Sequence, residues 1–180
     1  ENTRGDYLVA FGKARLSQYT FSDTVSVESV TIAPGYRFGQ VSPNDIALLR
    51  VSGQPNATRS VMASSGTDAS NGERVLISGF GRTESGGGSD VLLSADTRVL
   101  STNECRQFFP SVDGSQICIF DDVGRRQNAC NGDSGGPLFR TNATQVGLTS
   151  FGRTGCPTSA PAVYTRVSAF RSWISSVSGL

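Results

Sequence analysis

The sequence predicts an all-β chain, a sandwich or barrel of short strands that ends in one helix. Two observations carry this. Short apolar runs recur along most of the 180 residues, separated by stretches rich in Gly, Ser, Pro and Asn. Helical periodicity occurs once, at the C-terminal end.

Taken in order, residues 8–11 form the first short apolar run. Val25, Val27, Val30 and Ile32 alternate at period two with one slip, as at a bulge. Residues 46–51 are an apolar run opened by Asn44-Asp45. The segment 52–71 is rich in Ser, Gly, Pro and Asn and marks a boundary between two halves. Residues 74–80, 92–100, 116–120, 145–151 and 162–167 read as strands. Between the first two of these, 83–90 contains Gly86-Gly87-Gly88 and reads as a mobile loop. Ser168 is placed to cap a helix in which Phe170, Trp173, Ile174 and Val177 share one face. The resulting division is 1–70, 71–167 and a terminal helix at 168–180.

Composition excludes several classes of function. Charged residues make up 17% of the chain and the net charge is +1, with no basic stripe, so nucleic acid is not an expected partner. No apolar run approaches the ~18 residues a membrane-spanning helix needs, so no membrane partner is expected. No charged-then-apolar leader follows Glu1. Cys105, Cys118, Cys130 and Cys156 allow three pairings, and their spacing fits no zinc pattern. Asn56-Ala57-Thr58 and Asn142-Ala143-Thr144 are glycosylation sequons, as in a secreted protein.

The most informative stretch is Cys130-Asn131-Gly132-Asp133-Ser134-Gly135-Gly136-Pro137-Leu138. A serine between glycines suits a strained nucleophile turn, because glycines accept backbone angles that a side chain forbids and let the backbone approach a reacting carbonyl. N–H groups around such a turn converge on one point and stabilise an oxyanion.

This stretch resembles the active-site segment of chymotrypsin-like serine proteases. The resemblance extends in order through Pro43-Asn44-Asp45-Ile46-Ala47-Leu48-Leu49, Ser78-Gly79-Phe80-Gly81, Ser150-Phe151-Gly152 and Pro161-Ala162-Val163-Tyr164-Thr165-Arg166-Val167. It implies two antiparallel six-stranded β-barrels, the first incomplete here, followed by a C-terminal helix. It further implies Ser134 as nucleophile, Asp45 as the carboxylate that orients the base, and the N–H groups of Gly132 and Ser134 as oxyanion donors. Asp133 matches the residue that pairs with a freshly cut N-terminal amine. Asn128 falls on the floor of the specificity pocket, with Gly152 and Ala162 on its walls, and Ser150, Phe151 and Gly152 offer backbone bonds to an extended substrate. A neutral floor gives no reason to prefer Lys or Arg at the cleavage position. The resemblance selects the pairs Cys105–Cys118 and Cys130–Cys156. No cofactor is implied.

Three departures stand out. The chain has no histidine, although the family needs one as general base. The resemblance places that residue ahead of Glu1, so the expectation is a shortened or processed chain whose partner is its missing N-terminal segment. Val75 and Arg140 occupy positions that carry a further disulfide in many members. Lys13 stands where calcium-binding members place a carboxylate, so no calcium is expected there.

The function expected is therefore secreted endopeptidase chemistry on a polypeptide substrate, open to a protein inhibitor. The chain alone is expected to be inactive, and its half barrel leaves sheet edges that promote association. The alternative is a catalytically dead protease homologue that binds or inhibits. Retention of Asp45, Ser134 and the full Gly-Asp-Ser-Gly-Gly string favours the enzyme, since a dead homologue has no chemical reason to keep them.

Overall fold

Short apolar runs punctuated by turn residues produce short strands. A computed structural model describes residues 7–39, 41–55, 57–121 and 127–179. In it the strands are β1 (Leu8–Ala10), β2 (Thr24–Ile32), β3 (Ala47–Val51), β4 (Val61–Met62), β5 (Arg74–Gly79) and β6 (Leu93–Leu100). The helix α1 (Thr102–Arg106) follows, then β7 (Gln116–Ile119), β8 (Pro137–Arg140), β9 (Thr144–Gly152), β10 (Ala162–Arg166) and the helix α2 (Arg171–Ser178).

Two sheets result. In the second, antiparallel neighbours run β10-β7-β6-β5-β8-β9, and β9 pairs back onto β10, closing a six-stranded barrel. Closure removes the unpaired edges that an open sheet presents. β4 adds to this sheet in parallel with β9, so Val61–Met62 joins the barrel although it precedes residue 71. Among the described residues the first sheet holds β1-β2-β3 and is open. β2 carries its bulge between Val27 and Ser29, where the valine alternation slips.

Burial divides the same way. Val75, Ile77, Val99, Ile117, Ile119, Leu138, Val146 and Tyr164 fill the barrel. Outside it, Leu100, Cys105, Val112, Cys118 and Val163 form a second cluster under α1. No residue of β1, β2 or β3 is buried. The open sheet meets the barrel where Ala33, Ile46, Val167 and Ile174 pack together, with Leu48 and Trp173 against them.

One expectation changes here. Ser168 does not cap α2. It lies in a 3-10 turn, Val167–Phe170, Phe170 takes the cap position, and the Ser168 hydroxyl donates to Asp68 at 2.6 Å. In the glycine-rich loop Thr83 N–H donates to Gly87 O, Ser89 N–H to Phe80 O, and Asp90 accepts from both the N–H and hydroxyl of Ser17. Val75 and Arg140 face each other on β5 and β8 without a disulfide, and Arg140 instead donates to Glu73 at 2.6 Å. Burial pushes the Glu73 carboxyl up, but the guanidinium and the Ser70 N–H outweigh it and the net shift is downward. Lys13 Nζ donates to Gln18 O and to the Asp23 carboxylate, which fills the centre of its loop with a cation of its own.

Candidate active site

The nucleophile turn follows from its glycines. Gly132 has φ +96° and Gly135 φ +77°, values that favour glycine. A Cβ on Gly136 would stand 2.7 Å from Asp133 O. The turn is fastened on both sides: Asp133 N–H donates to Cys130 O, Gly136 N–H to Asp133 O, and Gly135 N–H to Thr149 O on β9. Disulfides join Cys130 to Cys156 and Cys105 to Cys118. The first ties the turn to the loop after β9, and the second ties α1 to β7.

Ser134 is exposed at the apex. Among the described residues, neither its N–H nor that of Gly132 is engaged in a hydrogen bond. Two unspent donors beside an exposed hydroxyl is the arrangement that an oxyanion requires.

Asp133 points away from Ser134, toward β5. Its Oδ1 accepts from Gly81 N–H at 2.9 Å and its Oδ2 from Cys130 N–H at 2.9 Å. The Gly-Phe-Gly sequence is what admits it, since a Cβ on Gly79 or Gly81 would run into the carboxylate. Two backbone amides thus satisfy the Asp133 carboxylate and offset the cost of removing it from water.

Asp45 sits at the entrance to β3 yet is held by the other sheet. The Ser150 hydroxyl donates to Asp45 Oδ2 at 2.6 Å, and the Thr165 hydroxyl donates to Asp45 O at 2.7 Å. The β9–β10 register jumps from Phe151 opposite Val163 to Thr149 opposite Tyr164, which leaves Ser150 as the extra residue of a bulge. Bulges re-aim a side chain, and this one turns the Ser150 hydroxyl to the carboxylate. Ser150 was expected to serve through its backbone alone. Thr165 was not singled out; its signal was a hydroxyl following the apolar stretch Ala162-Val163-Tyr164.

A cavity of about 650 Å³ opens behind the nucleophile turn. Asp133, Asn128, Thr149, Tyr164, Arg82 and the Cys130–Cys156 bridge are among its lining. Asn128 is anchored there, with Nδ2 donating to Ala160 O at 2.9 Å and Oδ1 accepting from Ala129 N–H. Burial pushes the Tyr164 hydroxyl up, and no partner of normal geometry meets it among the described residues. Ser134, Ser150, Phe151, Gly152 and Ala162 do not line this cavity. Phe151 is held edge-on by Phe109 at 5.4 Å between ring centres, Gly152 is exposed, and Ala162 is buried in the barrel core. Of the two sequons, Asn142 is exposed, and Asn56 lies outside the described residues. Among the described residues no cluster of acidic or sulfur ligands could hold a metal ion.

The sequence model of the trypsin family matches residues 1–174. The chain is 33% identical to the chymotrypsin-like serine proteinase of Haliotis rufescens, covering 96% of this chain and 71% of that one. It is 35% identical to brachyurin of Leptuca pugilator, covering 87% and 70% of the two. In structure it is similar to neuropsin, a serine protease of mouse brain, with a TM-score of 0.86 over 98% of this chain and 81% of that one. At 24% identity that likeness concerns the fold.

Proposed function

This chain belongs to the trypsin family of serine proteases, and we propose that it carries the nucleophile, oxyanion and carboxylate parts of a secreted endopeptidase site. Ser134 attacks the peptide carbonyl and forms an acyl-enzyme, while the N–H groups of Gly132 and Ser134 take the oxyanion charge. Asp45, fixed by Ser150 and Thr165, orients a base. That base is an imidazole from outside these 180 residues, for they contain no histidine. An extended polypeptide adds along 150–152, with neutral Asn128 beneath the side chain that precedes the scissile bond; Gly152 and Ala162 were expected as that pocket's walls, and of the two Gly152 is exposed. Residues 1–70, 71–167 and 168–180 act as incomplete first barrel, second barrel and terminal helix.

The observation that carries this reading is the pairing of an exposed Ser134, flanked by two unspent N–H donors, with an Asp45 carboxylate clasped from the neighbouring sheet. Without a base the serine stays protonated and is a weak nucleophile. The isolated chain is therefore expected to react negligibly with an activated ester, and millimolar imidazole is expected to restore acylation of Ser134. Ser134→Ala abolishes that rescue and Asp45→Asn weakens it. Imidazole rescue unchanged in Ser134→Ala overturns the assignment, as does rapid labelling of Ser134 by a fluorophosphonate without any added base.

The lack of histidine also favours a second reading, a protease homologue that binds polypeptides without cutting them. It separates cleanly in the same experiment: no rescue by imidazole, with binding of a peptide ester retained.

A further inference from the structure

Asn142-Ala143-Thr144 plays no part in the site above. It forms the tip of the β8–β9 hairpin. Because β8 leaves the nucleophile turn at Pro137 and β9 returns to Ser150, the tip lies at the opposite end of both strands from Ser134. Thr141, Asn142 and Ala143 are all exposed. Ala143 N–H donates to Arg140 O at 2.9 Å, which closes the turn. Ala143 itself takes φ +63°, the left-handed conformation that ends a three-residue hairpin loop. Asn142 Oδ1 accepts from Thr144 N–H at 3.1 Å. No hydrogen bond is made by Asn142 Nδ2 among the described residues, so the amide nitrogen faces solvent.

We propose that Asn142 is an N-glycan acceptor. The chemistry needs an Asn amide nitrogen, a hydroxyl residue two positions on, and a surface that leaves room for a sugar; Asn142, Thr144 and the exposed tip supply all three. The donor is an oligosaccharide carried on a lipid diphosphate. Asn142 Nδ2 attacks the anomeric carbon, a C–N bond forms, the C–O bond to the diphosphate breaks, and the lipid diphosphate leaves. The nitrogen gives up one proton to the transferase. Thr144 is buried in β9, so transfer precedes strand pairing, and the finished hairpin then presents the glycan outward. Beside the tip, Val61 pairs with Thr144 and is 69% exposed, which gives the inner sugars apolar surface to lie against. The glycan stands clear of Ser134 and leaves access to the site unchanged.

The inference rests on the secretory route proposed above and not on catalysis. Its test is therefore run on the full 180-residue chain behind a cleavable signal peptide in insect cells, with signal cleavage verified. Asn56→Gln is introduced to remove the other sequon. Release of N-glycans by an amidase in heavy-oxygen water converts an occupied Asn to labelled Asp. The peptide containing residue 142 is expected to carry that label, with Thr144→Ser retaining it and Asn142→Gln losing it together with the gel shift. An unlabelled Asn142 in a chain whose signal has been cleaved overturns the inference. Absence of glycan from the chain's native source, with labelling in the signal-directed chain, assigns the failure to the secretory route instead.

Discussion

The closed barrel and the open three-stranded sheet are built from similar short strands, yet only one of them makes a core. β7 and β10 are almost wholly buried along their lengths, whereas β1, β2 and β3 contain no buried residue. Leu138 in the barrel is 0% exposed and Leu49 on β3 is 51% exposed. The difference is closure. In the barrel every strand has two neighbours and the apolar face turns inward on itself. In the open sheet Leu8, Ile32 and Leu49 meet solvent, while Leu48 rests against the cluster shared with the barrel and α2. The Asp45 side chain and carbonyl are both held from the barrel, by the hydroxyls of Ser150 and Thr165.

The sharpest way to break this contrast is a matched pair of truncations. Leu138→Ala removes a fully buried side chain and is expected to cost about 2–5 kcal/mol in urea unfolding. Leu49→Ala removes a half-exposed one and is expected to change stability by less than about 0.5 kcal/mol. Equal costs would mean that the open sheet is as cooperative as the barrel. A smaller effect is expected at the link between the two regions. Asp90 accepts from Ser17 N–H at 2.6 Å, Ser17 Oγ at 2.9 Å and Arg15 Nη1 at 3.0 Å. Asp90→Asn should speed amide exchange at Leu16 and Ser17 and leave barrel protection unchanged; a matching loss in β5 and β6 would show that the link supports the barrel too.

The smallest effect is confined to the loop joining β1 to β2. The hydrogen bond from Lys13, followed by those from Thr20, lowers the Asp23 carboxyl from 3.8 to about 2. A carboxyl depressed in the folded state stabilises fully above its unfolded value, and that contribution is lost as pH falls. The loop should therefore loosen between pH 3.8 and about 2, read from the Tyr19 ring and neighbouring amides by NMR. Lys13→Met should shift that transition toward the ordinary carboxylate range, and an unmoved midpoint would remove Lys13 as its cause.

Much of the architecture was legible from local pattern. Strands at 74–80, 92–100 and 116–120 follow from apolar runs between turn residues, and the slip in the Val25–Ile32 alternation marked the β2 bulge that the structure contains. The helix α1 was readable as well: Ser101 and Glu104 form a capping box, a signal that lay in the sequence and was not used. Ser168 misled, because a 3-10 turn over Val167–Phe170 delays the start of α2 to Arg171 and leaves Ser168 outside the cap position, where its hydroxyl donates to Asp68 instead. At the loop 83–90 the glycines were legible, and the bonds that Asp90 makes to Ser17 and Arg15 were not, because those partners come from a distant segment.

The sequence by itself determined the strand-forming segments, the glycines that shape the nucleophile turn, and membership of a protease family, because each is written in contiguous residues whose propensities and spacing act locally. Only the tertiary structure decided which carboxylate is held by which hydroxyl, that a bulge aims Ser150 at Asp45, that Asp133 is satisfied by two amides, and that one sheet closes while the other stays open. Those outcomes depend on register and strand order between residues far apart in the chain, where a shift of one position turns every side chain to the opposite face.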